Sequence, residues 1–506
     1  MAIFERQAAQ KVILDETEPI KCTIENWQNV NGHTEFTIKV ERTPFSDQTW
    51  KINRRYNDFC KLHNMLQVSG IPLDLPPKKL FGNMDPQFIS ERQQGLQKYL
   101  DNIFMNPILV SSLPARSFVD PANYSQPFGE LALQHVSLAL RSEVGWEVIS
   151  PVADIGWRLR KHYYQLKNRS IPKEEYIASW TDYGPDKYLE VKDMHNIIKS
   201  LKQLQHPFIH SIELCLSTDI GALVVRTLNK NGTLRDLLCG AKPRQSFLKK
   251  YGNPKGHKAL TIDNVSHYGR QILEALKFIH DKGLPYGHLH SGNILIENNR
   301  IKLLDVENGI LGVPSFYRPY FMQHRKINNL EAIDVYCFGH VLYEMMFGTP
   351  LHESIIDSVP DCPIIELNLL ASDKAHFKIP SSIKEQLKSA IAKTEGRLKE
   401  EQKLVRNQKK LVKIQEMMSS EEEKKKQRQR LKQARQLDKE QQKQVKSNNE
   451  KLGTNEERSD SVISSTGTSV GTATPPSVSG SNNVPSPPPP PPPPPLGLVP
   501  QLPPIA

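Results

Sequence analysis

The sequence predicts an α+β chain of two folded units, followed by a charged helix and a proline-rich tail. Three observations carry that prediction. Short β-patterned runs flank an Asn31-Gly32 turn near the start. Apolar residues at helical spacing dominate the middle of the chain. Near residue 390 the composition breaks, from globular to charged, then Ser/Thr/Gly-rich, then proline. At 506 residues the chain holds roughly three domains of ~150 residues each. The net charge of +11 is unevenly spread. Residues 395–446 carry 17 Lys/Arg and 9 Asp/Glu, so 17 − 9 = +8 sits in the tail. The folded part is only slightly basic, and nucleic acid is not an expected partner.

The six cysteines are scattered with no C-x-x-C pair. That argues against a disulfide framework or a zinc site and for a reducing cytosol. The opening MAIFERQAAQ carries no apolar leader, and no run approaches the ~18 apolar residues of a membrane span. Any membrane contact is expected to be peripheral, and the sequons at Asn123, Asn231 and Asn264 carry no meaning in a cytosolic chain.

The first unit begins with strands over Ile20–Trp27 and Thr34–Arg42, joined by Asn31-Gly32, a strong hairpin signal. A third strand, Thr49–Asn53, leads into Arg54-Arg55-Tyr56-Asn57-Asp58-Phe59. A helix follows, with Phe59, Leu62, Met65 and Leu66 on one face. The proline-rich Leu73–Gly82 suits neither helix nor strand, and Pro86–Phe104 reads as the next helix. Three strands, a helix, a proline loop and a helix, with R-R-Y-x-D-F and P-P-K in these places, resemble the phox-homology (PX) domain. The resemblance implies phosphoinositide binding, most often to phosphatidylinositol 3-phosphate on endosomes. It gives Arg55 the 3-phosphate, Tyr56 the face of the inositol ring, Lys78 the 1-phosphate and Arg92 the 4- and 5-hydroxyls. An arginine fork suits a phosphate, because charge-assisted bonds of this kind are the strong ones. Leu80 and Phe81 are candidates to dip into the bilayer. The same residues also suit ordinary surface charge, core packing and a turn.

The second unit opens at Val144–Gly156 after a connector. Its organising stretch is Tyr286-Gly287-His288-Leu289-His290-Ser291-Gly292-Asn293, followed by Asp305-Val306-Glu307. This resembles the catalytic loop H-R-D-x-x-x-x-N and the D-F-G of protein kinases. In kinases the first Asp takes the substrate proton, while the Asn and the second Asp hold magnesium. Here His288 stands at the base position, next to Tyr286 and Gly287, and His290 completes a degenerate loop. Asn293 and Asp305 keep the metal-ligand positions. No glycine-rich loop is visible between residues 150 and 195, where Gly156 and Gly184 are the only glycines.

Gln205-His206-Pro207-Phe208-Ile209 resembles the turn after the regulatory helix, which is expected within Tyr188–Leu204. Counting back puts Trp180 at the strand-borne lysine and Ile197 near its glutamate partner, so that ion pair is expected to be missing. Gly232–Leu237, Tyr268–His280 and Asp334–Gly348 read as helices of a carboxyl lobe, with a Lys/Pro-rich insert over 241–258. The short Asp305–Pro319 stretch stands for an activation loop. A pseudokinase is expected, with no catalytic residue and no cofactor. ATP with magnesium enters only as a weak ligand of Asn293 and Asp305, which also suit loop bracing and turn capping.

Ile383, Leu387, Ile391 and Leu398 are spaced for a helix, beyond which charges of both signs alternate. Residues 447–483 lack the apolar content to fold. Pro487–Pro495 is an unbroken run of nine prolines, suited to SH3, WW, EVH1 or profilin-type grooves or to a stiff spacer.

The expected divisions are a PX domain over 14–124, a connector over 125–150 and a kinase-like domain over 151–382. A charged helix follows over 383–446, then a disordered tail over 447–506. That order, with YGHLH and the prolines, resembles the PX domain-containing protein kinase-like family, also called modulator of Na,K-ATPase. The resemblance implies endosomal trafficking of receptors and association with Na,K-ATPase β subunits. Some members end in an actin-binding WH2 motif. The chain stops at Ile505-Ala506 without one, which leaves an actin link without a visible carrier. The expected function is a phosphoinositide-binding pseudokinase adaptor in the cytoplasm, peripheral on endosomes and the plasma membrane. A weak or atypical serine/threonine kinase and a scaffold whose PX fold binds no lipid remain the alternatives.

Overall fold

The computed structural model describes residues 15–42, 48–79, 85–152, 154–351 and 381–453. Leu80, Phe81, Cys362 and the polyproline run lie outside them. The chain divides into two compact units, Met1–Ser419 and Ser420–Ala506.

Strands β1 (Ile20–Val30), β2 (His33–Arg42) and β3 (Thr49–Arg55) form an antiparallel sheet in that order. The β1–β2 hairpin turns at Asn31 and Gly32, whose φ values are +48° and +80°. Both turn residues sit at positive φ, as a two-residue Asn-Gly hairpin requires. Phe36, Ile38 and Val40 alternate into the core from β2. Helix α1 (Tyr56–Leu66) covers them with Phe59, Leu62 and Leu66. Helix α2 (Pro86–Met105) starts where the Asp85 side chain accepts from the Gln87 N–H, with proline at its first position. It adds Leu96, Tyr99, Leu100 and Ile103 to the same core.

The second domain begins earlier than the sequence suggested. Within residues 125–150, helix α3 (Phe128–Ala139) packs Ala132 and Val136 under the next sheet. That sheet has the order β4-β5-β6-β8-β7, with β4 Trp146–Val152, β5 Lys161–Asn168, β6 Tyr176–Asp182, β7 Leu214–Ser217 and β8 Gly221–Thr227. The stretch read as a connector is thus part of this lobe, because its apolar face needs the sheet to bury it. Helix α4 (Val191–Ser200) packs on the other side with Met194, Ile197 and Ile198.

The carboxyl lobe is helical, with α5 (Leu234–Leu238), α6 (Phe247–Tyr251), α7 (Ile262–Asp281) and α8 (Leu330–Phe347). A short hairpin of β9 (Ile294–Glu297) and β10 (Arg300–Leu303) sits among them. Helix α9 (Ser381–Gly453) begins against this lobe, burying Leu387, Leu398 and Val405. Its side chains from Lys409 to Gln436 are exposed. No helix among the described residues is long and apolar enough to cross a membrane.

Candidate functional sites

In the first domain β3 ends at Arg55 and α1 starts at Tyr56, and that corner separates the two adjacent arginines. Arg54 turns inward, donating to the Phe118 carbonyl at 2.9 Å with its guanidinium 5.2 Å from the Phe118 ring. Arg55 is exposed, and its backbone N–H donates to Asp58 Oδ2 at 3.0 Å, closing the helix start. Tyr56 donates its hydroxyl to the Pro76 carbonyl, tying α1 to the proline loop. The Arg92 guanidinium lies 4.1 Å from the Tyr56 ring centroid and 4.4 Å from that of Phe88, and donates to the Pro77 carbonyl at 3.0 Å. Lys79 sits 4.1 Å from the Phe88 ring, and Lys78 is exposed beside it. Tyr56 and Arg92 thus meet at the proline loop, and Arg55 stands exposed one residue before Tyr56. Among the described residues, Arg55, Lys78, Lys79 and Arg92 have no carboxylate within ion-pair distance.

The second site is the cleft between the lobes, a cavity of about 370 Å³. Its roof carries Val152, Ile177 and Val224 from the sheet, and its floor carries Leu295 from β9. Trp180, expected at the lysine position, faces away from the cleft. It is fully buried, stacked at 5.2 Å on His135, and its indole N–H donates to Asp182. A strand shows alternate residues to opposite faces, so β6 presents Ile177 and Ser179 to the cleft instead.

The ammonium comes from the neighbouring strand. Lys161, at the start of β5 and opposite Thr181 of β6, is 2% exposed. It stands 2.7 Å from Asp305 Oδ2 and 3.9 Å from Glu307 Oε1. Glu307 is fully buried and takes a two-pronged ion pair from Arg226 of β8, at 2.6 and 3.2 Å. Neither Trp180 nor Ile197 of the regulatory helix supplies a charge, and the lysine comes from a different strand than the one expected. A buried quartet of two cations and two carboxylates exists, built from other residues. The local signal was faint: Lys161, Tyr163 and Gln165 share one strand face, and only the sheet register shows where it points.

Burial alone would push the Asp305 carboxyl up, but Lys161 and Arg226 overcome this and hold it below the usual range. Asp305 adopts φ +60°, a left-handed conformation uncommon for a residue with a side chain. Asn293 donates its amide to the His288 carbonyl at 3.0 Å, bracing the loop. The loop is anchored from below, where Asp334 of α8 accepts the Gly287 N–H at 2.9 Å and meets His280 Nε2 at 2.8 Å. His288 is buried, with Arg158 Nη2 3.2 Å from its Nδ1. Burial first, and then Arg158, drive its pKa well down, so the ring stays neutral. His290 is lowered to about 3 by burial and then Arg235 and Arg158, and its Nδ1 accepts from the Gly292 N–H.

Lys161 and the Asn308 amide share Asp305 Oδ2, and Asn293 spends its amide N–H on the loop itself. Among the described residues no cluster of three His, Cys, Asp or Glu side chains is arranged for a metal ion.

The PX domain family matches residues 42–122, and the protein kinase domain family matches residues 184–395. A PX domain-containing protein kinase-like protein of Mus musculus is 46% identical over 437 residues, covering 80% of this chain and 75% of that protein. A Slowpoke-binding protein of Drosophila melanogaster is 30% identical over 244 residues, 44% of each chain. A probable inactive serine/threonine-protein kinase of Dictyostelium discoideum is 32% identical over 272 residues, 46% of each chain.

Proposed function

The chain belongs to the PX domain-containing protein kinase-like family, and on that premise we propose that it is a phosphoinositide-recruited pseudokinase adaptor. On this reading the PX domain addresses the protein to endosomes and the plasma membrane. The kinase-like domain presents a protein-binding surface rather than transferring phosphate. The clients are membrane proteins in traffic, Na,K-ATPase among them, and the proline run recruits SH3, WW, EVH1 or profilin-type partners.

The observation that carries the proposal is Arg92 over the Tyr56 ring, with Arg55 next to it in sequence and Lys78 and Lys79 on the adjoining proline loop, none of the four with a carboxylate in ion-pair distance among the described residues. Cations left uncompensated on one surface suit a phosphorylated, anionic ligand. The adaptor half is supported by the ion quartet that spends Asp305 on Lys161, by the neutral His288 and by the relative named as binding Slowpoke. A fluorescently tagged full chain is expected to mark endosomes and the plasma membrane in cells. Arg55→Ala is expected to turn the signal diffuse, and a mutant that keeps the wild-type pattern refutes recruitment through this pocket.

A further inference from the structure

Between Leu237 and Ile262, from the end of α5 to the start of α7, the chain carries six Lys/Arg and no Asp or Glu. The fold uses two of these cations. Lys250 is buried against Asp236 at 3.0 Å, and Arg244 stands 3.8 Å from Glu175. The other four, Lys242, Lys249, Lys255 and Lys258, are exposed, and among the described residues none has a carboxylate within ion-pair distance. Arg244 and Lys250 line the interlobe cavity, whereas these four do not. The spare charge of the insert therefore faces solvent and not the cleft.

A lone surface lysine is ordinarily just solvated. What sets this group apart is where the fold fastens it. Helix α6, in the middle of the insert, is clamped to the PX domain. Leu248 packs on the PX core, and Phe247 and Tyr251 pack with Ile71 and Ile108. Asn253 donates its side-chain amide to the Gly70 carbonyl at 2.9 Å. At Gly252 a Cβ would collide with the Ser69 carbonyl oxygen, so the two backbones meet where a side chain has no room. Ser69–Ile71 runs directly into the proline loop, which Tyr56 and Arg92 hold at Pro76 and Pro77. The insert is thus tied to the root of the loop that bears Lys78 and Lys79, where Asp74 is the single carboxylate between Gly70 and Lys79.

We infer that this insert is a second membrane contact, a basic patch that holds the anionic headgroups of a bilayer without selecting one of them. Ammonium groups on flexible stems are hydrated point charges, suited to a diffuse anionic layer more than to a shaped pocket. Each one near an anionic leaflet adds to binding, and salt screens the attraction. Nucleic acid is the poorer fit, because Phe247 and Tyr251 are buried and offer no face for a base to stack on. A protein interface needs an apolar centre, and the insert has already spent Phe247, Leu248 and Tyr251 on the PX domain. The inference rests on the membrane recruitment proposed above, and adds a contact that needs neither Arg55 nor a phosphoinositide.

The test is co-sedimentation of the full chain with two kinds of vesicle. One holds phosphatidylcholine and phosphatidylserine without phosphoinositide, and the other holds phosphatidylcholine with phosphatidylinositol 3-phosphate. A quadruple variant combines Lys242→Gln, Lys249→Gln, Lys255→Gln and Lys258→Gln, all at exposed positions, and is run beside Arg55→Ala. The wild type is expected to pellet with phosphatidylserine at low salt and to be released as salt rises. Each lysine near an anionic surface is worth about fivefold in affinity, so the quadruple variant should bind these vesicles at least about a hundredfold more weakly. Arg55→Ala should bind them as the wild type does. On phosphatidylinositol 3-phosphate the order reverses, with Arg55→Ala the weaker of the two. The basic part of α9 is the same in every chain, so the comparison isolates the insert. A quadruple variant that pellets with phosphatidylserine like the wild type overturns the inference. So does a wild type that ignores those vesicles at low salt, even if it binds polyglutamate or polyuridylate instead, and so does loss of phosphatidylserine binding in Arg55→Ala alone. If Arg55→Ala changes nothing on either vesicle while the quadruple variant loses phosphatidylserine, the insert is confirmed and only the Arg55 reading fails.

Discussion

Lys161 is the residue on which the cleft turns. It stands between Asp305 and Glu307 with almost no solvent access. Removing one member of a buried ion pair typically costs ~3–5 kcal/mol, because the other charge is left stranded. Lys161→Met is therefore expected to lower the denaturant midpoint by that worth, and adding Asp305→Asn should recover much of the loss. A single-mutant cost below about 1 kcal/mol, the range of an exposed pair, would show that the pair does not hold the cleft. Spacing from the loop motif located Asp305 and Asn293, since the loop is local in sequence. Lys161 escaped notice because its role is set by the pairing of β5 with β6, which no local pattern encodes. Arg235 was hidden in another way: in Gly232–Leu237 it reads as one charge in a helix start, and only packing shows it buried among aromatic rings.

Among the elements, α9 shows how far periodicity reaches. Leu387 and Leu398 do face the core, as their spacing predicts. The stronger tie is ionic. Arg318 meets Asp15 at 3.0 Å, Asp186 at 3.6 Å and Glu401 of α9. Arg397 of α9 meets Asp186 at 2.8 Å, Glu401 at 2.6 Å and Asp15 at 3.5 Å. Burial weakens the case for ionising Asp186 and pushes its carboxyl up, and the two arginines only partly offset this. Two guanidiniums and three carboxylates, together drawn from four distant stretches of chain, thus compensate one another. Arg318→Met would leave those carboxylates to Arg397 alone. Amide hydrogen exchange over residues 387–405 is expected to rise in that variant, while exchange in β1–β3 stays unchanged. Unaltered exchange in α9 would mean that its apolar residues alone hold it. The sequence could name the helix and its apolar face, but not partners that only folding brings together.

Across the whole molecule, the PX and kinase-like domains belong to one compact unit. Glu16 accepts the Leu159 N–H at 3.2 Å, and its backbone carbonyl takes a 2.6 Å bond from Arg116 of the PX domain. The corner of Arg55 and the interlobe cleft are therefore carried on one compact unit, so the recruitment proposed above would fix where the kinase-like domain stands at a membrane. The most direct measurement is co-sedimentation of the full chain with liposomes that each carry one phosphoinositide, run beside Arg55→Ala. The account predicts that the wild-type chain pellets with a phosphoinositide, the 3-phosphate above all, and that Arg55→Ala stays in the supernatant. If wild type and mutant both remain in the supernatant for every lipid, membrane recruitment by this PX domain is contradicted.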